Sequence, residues 1–362
     1  MPHCNLLYHH ICTVLPGFYK PCCQYILHKD YKDVRVDEMT HTEYVNTPQY
    51  QKIREDMKSG WNAGCEKCRV DEESNKLQSL RQDYEGQINS DEGIRFVEIS
   101  LSNYCNLSCK MCNPYSSSKW ADFKKKHPDE LSEFYADKPV VNINVRDFFK
   151  DVDLKNLKKI KYLGGEPFIT PQTKDLFNFL EDKKIIQNIS LLTNTNCTFY
   201  PEKWIKQLLK FRRVGIGLSI DGFEKSCEYS RTGSKWDTLK ENALKWAELA
   251  KKNANLEIYF STTINAFTVH DFHKLTKFAK KLGKVKYNPY VIHSPYHLRL
   301  EALPPEYIES IKNESNEQFL RHVKFDPILF ERLKTFVKTT DKIQNIDIKD
   351  YIPELAKYLT ET

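Results

Sequence analysis

Short apolar runs rich in β-branched and aromatic residues alternate along the chain with segments of helical, amphipathic periodicity. The predicted strands lie at residues 94–102, 158–164, 188–193, 213–220, 256–264 and 284–292. The predicted helices between them include residues 171–184, 202–211, 234–252 and 270–281. Strands that alternate with helices favour parallel βα units with right-handed crossovers, because parallel neighbours need a long connection.

Polar and small residues stand directly after five of the predicted strands. In chain order they are C-N-L-S-C-K-M-C, G-G-E-P, T-N-T, S-I-D-G and T-I-N. In βα barrels the carboxyl ends of the strands carry the chemistry, so five such ends indicate one shared site. The sequence therefore predicts an α/β fold: a partial (β/α)6 TIM-like barrel with a small cysteine-rich N-terminal lobe and C-terminal helices.

Three regions are predicted from changes in this pattern. Residues 1–90 have few periodic runs and hold six of the eleven cysteines, so we expect a cysteine-rich lobe that depends on metal for order. Residues 91–295 form the barrel, with a long insertion at 113–157. Residues 296–362, which begin near L-P-P-E, are expected to form a C-terminal helical extension.

The composition is that of a globular protein, with 40% hydrophobic and 12% aromatic residues, which excludes a disordered chain. No segment reaches the ~18 consecutive apolar residues of a membrane span. The N-terminus lacks the features of a secretory signal, so we expect a cytoplasmic protein without a membrane partner. The net charge of +6 comes from lysines scattered among acidic residues, and a nucleic-acid partner is therefore not expected. Eleven cysteines in a reducing compartment indicate metal or redox chemistry.

Three cysteines crowd the first predicted strand end. Cys105, Cys109 and Cys112 follow the spacing C-x3-C-x2-C, one thiolate fewer than a closed zinc or iron–sulfur site requires. Together with G-G-E-P, S-I-D-G and the order of strands, this triplet resembles the radical S-adenosylmethionine (SAM) superfamily over residues 94–291. The resemblance implies a [4Fe–4S] cluster whose fourth iron is chelated by the amino and carboxylate groups of SAM. It also implies reductive cleavage of SAM to a 5′-deoxyadenosyl radical, which takes a hydrogen atom from the substrate.

The same resemblance assigns SAM contacts to other strand ends. In G-G-E-P, Gly164 and Gly165 let the backbone approach a ligand, and Glu166 can accept from the SAM ammonium. Ser219 and Arg231 stand where the SAM carboxylate is held, and arginine offers that group a bidentate fork.

Ribose contacts are implied for Asn194 in T-N-T and Asn265 in T-I-N. Each of these residues, taken singly, also fits an ordinary turn at a strand end. No residue is recognisable as a general base, so the catalytic residue is left unassigned.

The N-terminal region carries a second set of cysteines that resembles the twitch domain, an auxiliary-cluster module of some radical SAM enzymes. That module usually follows the barrel, whereas here it precedes it. On this resemblance the second [4Fe–4S] cluster is held by Cys4, Cys22, Cys65 and Cys68. Cys12 and Cys23 are spare candidates for the same cluster. A zinc knuckle built on the C-x2-C pair is the structural alternative.

The predicted function is that of a radical SAM oxidoreductase that oxidises or cross-links a peptide or protein. A small-molecule dehydrogenase acting on an amino-sugar or cyclitol is one alternative, and a nucleotide- or RNA-modifying enzyme is another. A zinc-binding adaptor is a non-enzymatic alternative that the complete set of motifs disfavours. The expected partners are a peptide or small-molecule substrate and an electron donor such as flavodoxin or ferredoxin.

Overall fold

The computed structural model describes residues 2–14, 17–27, 31–74, 78–85, 93–283 and 285–360. Within these residues the strands are β1 (His10–Val14), β2 (Phe18–Lys20), β3 (Phe96–Ser100), β4 (Lys159–Leu163), β5 (Ser190–Thr195), β6 (Arg213–Leu218), β7 (Leu256–Ile264) and β8 (Lys286–Val291). They form one sheet in the order β2-β1-β3-β4-β5-β6-β7-β8. β2 pairs antiparallel with β1, whereas β1–β3, β3–β4, β4–β5 and β7–β8 are parallel pairs. The predicted α/β fold is confirmed, and the sheet is mostly parallel.

The six predicted strands correspond to β3–β8, and their order along the sheet follows the chain. This order is expected when each strand is joined to the next by a right-handed crossover. Residue 284, predicted at the start of the last strand, lies outside the described residues. So do residues 361–362 and parts of the predicted region 1–90.

Strands β1 and β2 are absent from the sequence-based prediction. β1 pairs with β3 so that His10 lies opposite Phe96 and Cys12 lies opposite Glu98. His10, Cys12, Thr13 and Glu98 are all buried, although most of them are polar. Polar residues on the buried face remove the apolar alternation by which a short strand is recognised, so the pattern could not reveal β1.

Seventeen α-helices are found among the described residues. They are α1 (Leu6–His9), α2 (His41–Val45), α3 (Pro48–Ser59), α4 (Glu66–Ser74), α5 (Leu80–Glu85), α6 (Ser118–Lys126), α7 (Pro128–Ser132), α8 (Val145–Phe148), α9 (Gln172–Asp182), α10 (Glu202–Leu208), α11 (Lys225–Ser230), α12 (Trp236–Lys252), α13 (Phe272–Lys281), α14 (Pro305–Ile311), α15 (Glu317–Leu320), α16 (Pro327–Gln344) and α17 (Pro353–Thr360). Of the described helices, none is long and apolar enough to cross a membrane.

Helix α16 matters most for the site described below. It begins after Asp326, whose side chain accepts hydrogen bonds from two backbone N–H groups of the first turn, and Pro327 takes the first helical position. It ends at Asn345, whose φ of 53° is the left-handed conformation that stops a helix. Its inner face is buried through Leu333, Phe336 and Val337.

The chain divides into two compact units. The first comprises Met1–Asn103, Pro139–Thr193 and Lys206–Val214, and the second comprises Tyr104–Lys138, Asn194–Ile205 and Gly215–Thr362. In the second unit α16 and α17 belong to one large apolar core that also includes Trp120 and Tyr229. In the first unit, β3 is buried along its whole length. The predicted boundaries near residues 90 and 295 stay predictions.

Candidate functional site

The three cysteines of C-x3-C-x2-C lie in the second unit on a loop shaped by its own hydrogen bonds. The N–H of Cys112 donates to the carbonyl of Cys109 at 2.9 Å, which closes a tight turn. The indole of Trp120 donates to the same Cys109 carbonyl at 2.8 Å. Cys109 is buried, and Cys105 and Cys112 are partly exposed. The loop thus presents its thiols from a fixed backbone.

The loop is also anchored by Lys110, which lies between the second and third cysteines and is 0% exposed. Its Nζ donates to Asp341 Oδ1 at 2.6 Å and to Thr340 Oγ1 at 2.8 Å, both on α16. The same ammonium lies 4.6 Å from the centre of the Tyr229 ring, whose hydroxyl donates to Asp341 at 2.8 Å. One turn further along α16, the Gln344 amide donates to the Ser108 carbonyl at 2.7 Å. The loop's conformation therefore depends on α16.

Burial controls the protonation of these thiols. It raises the pKa of Cys112 to about 12, and the neighbouring Cys105 adds to the shift while Arg231 opposes it. Burial likewise raises the pKa of Cys109 well above its ordinary value, again with Arg231 opposing. Thiols that bind metal must lose their protons, so metal binding at this loop would release protons.

Arg231 follows α11 and lies beside both an acid and a thiol. Its Nε is 2.8 Å from Asp221 Oδ2, and its Nη1 is 4.0 Å from Cys109 Sγ. Burial alone would lower the pKa of Arg231, but Asp221 and Cys109 hold it above its ordinary value, so the guanidinium stays charged. Among the described residues neither Arg231 Nε nor Asp221 Oδ2 makes an aligned hydrogen bond. The Nε–H of Arg231 could therefore still donate a hydrogen bond to the carboxylate of a ligand. The ligand would share the positive charge of the guanidinium with Asp221.

The remaining residues of the second unit that were predicted to bind SAM are Asn265, Asn194 and Ser219, and they differ in the hydrogen bonds they make. Asn265 is fully buried, and its amide bonds to its own loop: it donates to the Thr263 carbonyl at 3.2 Å and accepts from the Phe267 N–H at 2.9 Å. That arrangement is typical of a turn residue. Asn194 Oδ1 accepts from the Tyr259 hydroxyl at 3.3 Å. The Ser219 N–H donates to the Thr195 carbonyl at 2.8 Å.

Several residues near these positions were not identified from the sequence. A Cβ on Gly217 would lie 2.1 Å from Asn194 Oδ1, so only glycine leaves room for that amide. Asn196 lies next to the cysteine loop, with Nδ2 2.9 Å from Asn106 Oδ1 and 3.9 Å from Cys105 Sγ. Asn196 extends the T-N-T pattern to T-N-T-N, which was the signal available.

In the first unit, G-G-E-P follows β4 as the pattern predicts. Gly164 has φ of 120°, and a Cβ there would lie 2.5 Å from the Ser102 carbonyl oxygen. The Gly165 N–H donates to that same oxygen at 2.9 Å. The positive φ and the close approach to Ser102 both require glycine at position 164, because a side chain there would push the two strand ends apart. Glu166 is 1% exposed and its Oε1 accepts from the Phe168 N–H at 3.2 Å.

Also within the first unit, the four cysteines predicted for a second cluster line one small cavity. Its volume is about 350 Å³, counting the space open to solvent at its mouth, and its wall includes Cys4, Cys22, Cys65 and Cys68. Burial raises the pKa of Cys4 to about 11 and that of Cys65 to about 12. The neighbouring thiol of Cys68 adds to both shifts, and Arg81 opposes that of Cys4. Cysteines up to 64 positions apart in sequence thus meet around one space, as a four-thiolate metal site requires.

The two spare cysteines lie elsewhere in the first unit. The Cys12 thiol is 3.9 Å from Glu98 Oε2. The same carboxylate raises the pKa of Cys23, after burial, which is the larger cause. Neither Cys12 nor Cys23 lines the four-thiol cavity, although both lie close enough to Cys22 for their charges to interact.

Comparison with known proteins agrees with the arrangement of motifs. The profile described as the Radical SAM superfamily matches residues 99–279, half of the 362-residue chain. The radical SAM cyclopropyl synthase TigE of Paramaledivibacter caminithermalis is 27% identical over 207 residues, which is 55% of this chain and 42% of that protein. The GTP 3′,8-cyclase of Desulforamulus reducens is 26% identical over 194 residues, 52% of this chain and 54% of that protein. The chain thus spans about half the length of these relatives.

Among solved structures, Streptococcus suis SuiB bound to precursor peptide SuiA is similar with a TM-score of 0.37 and 14% identity, covering 87% of this chain and 65% of that one. The superfamily match itself begins in β3, runs through the cysteine loop and G-G-E-P, and ends in α13. The chain therefore belongs to the radical SAM superfamily of enzymes.

Proposed function

We propose that this enzyme binds a [4Fe–4S] cluster through Cys105, Cys109 and Cys112, and that SAM occupies the iron left without a protein ligand. Three thiols on one hydrogen-bonded loop, with no fourth cysteine in C-x3-C-x2-C, support the proposal. When bound, cluster and SAM supply a 5′-deoxyadenosyl radical that takes a hydrogen atom from the substrate. The expected electron donor is a flavodoxin or ferredoxin.

The chain's own residues orient SAM in this proposal. Arg231 binds the SAM carboxylate through its guanidinium, whose Nε–H lies beside Asp221 without an aligned hydrogen bond, and Ser219 contributes a hydroxyl to the same carboxylate. Glu166 accepts from the SAM ammonium, with Gly164 and Gly165 giving close backbone approach. Asn194 contacts the ribose. Asn265 is proposed for the ribose as well, but its amide already bonds within its own loop and would have to exchange those partners.

A second, auxiliary cluster is supported by one observation, the cavity lined by Cys4, Cys22, Cys65 and Cys68. We propose a second [4Fe–4S] cluster there. Four thiolates leave no iron open, so this cluster would accept an electron from a substrate radical and would not bind SAM. The net reaction would be an oxidation or a cross-link, and we propose a peptide or protein as the substrate.

A nucleotide substrate is the second candidate, because the relatives include GTP 3′,8-cyclases at 24–26% identity. An amino-sugar or cyclitol dehydrogenase is the third. Since the chain spans about half of those relatives, none of their named activities transfers directly.

Anaerobic purification with analysis of iron, acid-labile sulfide and zinc tests the clusters. We expect about eight irons per chain for two cubes, at about four each. The triple variant Cys105→Ala, Cys109→Ala, Cys112→Ala should lose half of that iron and all reductive cleavage of SAM to 5′-deoxyadenosine. Undiminished cleavage by that variant would contradict the proposal.

The substrate class is tested on the same preparation. Short peptides encoded beside the gene are incubated with the reduced enzyme and SAM, and their masses are compared before and after. Loss of hydrogen from a peptide supports the leading proposal. Turnover of GTP, or of an amino-sugar or cyclitol, under the same conditions would support the alternatives instead.

A further inference from the structure

Three potential metal ligands meet in the first unit, apart from the seven cysteines proposed for the clusters. They are His10 and Cys12 of β1 and Glu98 of β3, and one ligand atom from each lies within 4.8 Å of the other two. All three are buried, with exposures of 3%, 1% and 3%. Because Cys12 is opposite Glu98 in the parallel ladder and His10 is two residues before Cys12, all three project from the same face of the sheet.

The imidazole of His10 is the strongest sign of a ligand. Among the described residues neither of its ring nitrogens makes an aligned hydrogen bond, although the Pro21 carbonyl lies close enough to the ring to oppose the lowering of the His10 pKa by burial. The ring stacks on Phe96 with centroids 4.4 Å apart, which fixes its plane. Leaving a buried polar group without a partner costs roughly 1–3 kcal/mol. A metal ion beside a ring nitrogen would supply the missing partner.

Glu98 has one oxygen engaged and the other directed to the cysteine. Lys161 Nζ donates to Oε1 at 2.6 Å, whereas Oε2 is 3.9 Å from the Cys12 thiol. A carboxylate held by a lysine on one oxygen can still bind metal with the other, and such outer partners commonly orient metal ligands. An ion pair with Lys161 alone explains Glu98, but it leaves His10 unexplained.

We propose that His10, Cys12 and Glu98 bind a divalent cation of the zinc class. A ring nitrogen, a thiolate and a carboxylate oxygen are the three kinds of ligand that zinc takes, in a tetrahedral arrangement. Zinc bond lengths of about 2.0–2.3 Å require the ligand atoms to approach to roughly 3.2–3.8 Å. Since the ligand atoms already lie within 4.8 Å of one another, binding would need rotations of the Cys12 and Glu98 side chains that shorten these separations, with the strand register unchanged. Cys12 gives up its proton on binding. The fourth position is open to water or to Cys23.

X-ray absorption at the zinc edge tests the site on the wild-type protein. Cluster-loaded, anaerobic full-length chain is equilibrated with one equivalent of Zn²⁺ and washed. We expect one zinc retained, with one or two sulfur ligands near 2.3 Å and the remaining nitrogen or oxygen ligands near 2.0–2.2 Å. No retained zinc would overturn the proposal. So would a site of four sulfurs, which would place zinc in the four-thiol cavity and contradict the auxiliary cluster as well.

Single variants assign the ligands. His10→Phe keeps the ring stack on Phe96 but removes the nitrogens, and Cys12→Ala removes the thiol. Each should lower zinc affinity about 100-fold or more, since even outer partners of a metal ligand account for 10–100-fold. Cys197→Ala, which removes a buried thiol of the second unit, is the matched control and should bind zinc as the wild type does.

Iron content and SAM cleavage are measured on the same variants. Unchanged values in His10→Phe show that the barrel has folded and that the zinc result is independent of the proposed clusters. Wild-type zinc affinity in a folded His10→Phe or Cys12→Ala variant would overturn the assignment. Where a variant does not fold, the absorption spectrum of the wild-type protein decides.

Discussion

Replacing Lys110 with methionine should loosen the cysteine loop. Methionine matches the length of the buried stem but removes the ammonium that bonds Asp341 at 2.6 Å and Thr340 at 2.8 Å. The carboxylate of Asp341, 11% exposed, would then be a buried charge without its cation. Removing one partner of a buried ion pair costs about 3–5 kcal/mol.

The lower end of that range is expected here. Asp341 keeps two donors, the Tyr229 hydroxyl at 2.8 Å and the Ile348 N–H at 2.8 Å, so its charge is not left wholly unsatisfied. We therefore expect Lys110→Met to lower the free energy of unfolding by about 3 kcal/mol. That is a factor of about 10² in the unfolding equilibrium. Bound iron should fall toward the ~4 irons of a single cube, because the loop that presents three thiols loses its anchor.

Urea unfolding followed by far-ultraviolet circular dichroism measures the first effect, on iron-free and iron-loaded protein. Lys119→Met, an exposed lysine at the start of α6, is the control and should change stability by less than about 0.5 kcal/mol. The double variant Lys110→Met, Asp341→Asn should recover part of the loss, because it leaves no orphaned charge. An unfolding midpoint and an iron content equal to wild type in Lys110→Met would refute the anchoring role.

Three further outcomes are expected. Arg231→Lys should weaken SAM affinity roughly tenfold, or ~1.4 kcal/mol, because lysine keeps the charge but loses the fork; calorimetric titration measures it. Cys65→Ala with Cys68→Ala should remove about half the iron and stop product formation, while 5′-deoxyadenosine is still formed. Burial raises the pKa of Asp271 to about 7, so between about pH 4 and pH 7 the folded protein holds a proton that the unfolded chain has lost. Stability should fall as pH rises through that window, and Asp271→Asn should remove the slope, worth at most about 4 kcal/mol at ~1.4 kcal/mol per pKa unit.

Each of these three predictions has an outcome that would contradict it, and the first also has a control variant. Arg299→Lys, in a partly exposed pair with Glu301, should leave SAM affinity unchanged; unchanged affinity in Arg231→Lys would assign that residue to the scaffold. Wild-type iron content in the Cys65→Ala, Cys68→Ala double variant would contradict the proposal of a second cluster. A denaturation curve for Asp271→Asn that keeps the wild-type dependence on pH would show that another group titrates.

The parts of this molecule that were predictable from sequence are those with local signals. β3–β8 show as apolar runs, and Cys105, Cys109 and Cys112 were singled out by their spacing together with G-G-E-P, S-I-D-G and the order of the strands. The role of Lys110 was not predictable from sequence, because a lysine is usually exposed and its partner Asp341 is 231 residues away. β1 was missed for a related reason: its His10 is a polar residue that is buried only because β3 lies beside it.

The same anchor has a consequence for how the protein is made. Lys110 can meet Asp341 only after 231 further residues have been added to the chain. At about 5–20 residues per second, that interval is roughly 10–50 s. Contacts so distant in sequence form late, since loop closure must come first. During that interval the loop thiols lie on an unanchored chain, exposed to oxidants and to competing metals. If this loop binds the proposed cluster, stable insertion of that cluster must therefore follow the synthesis and packing of α16.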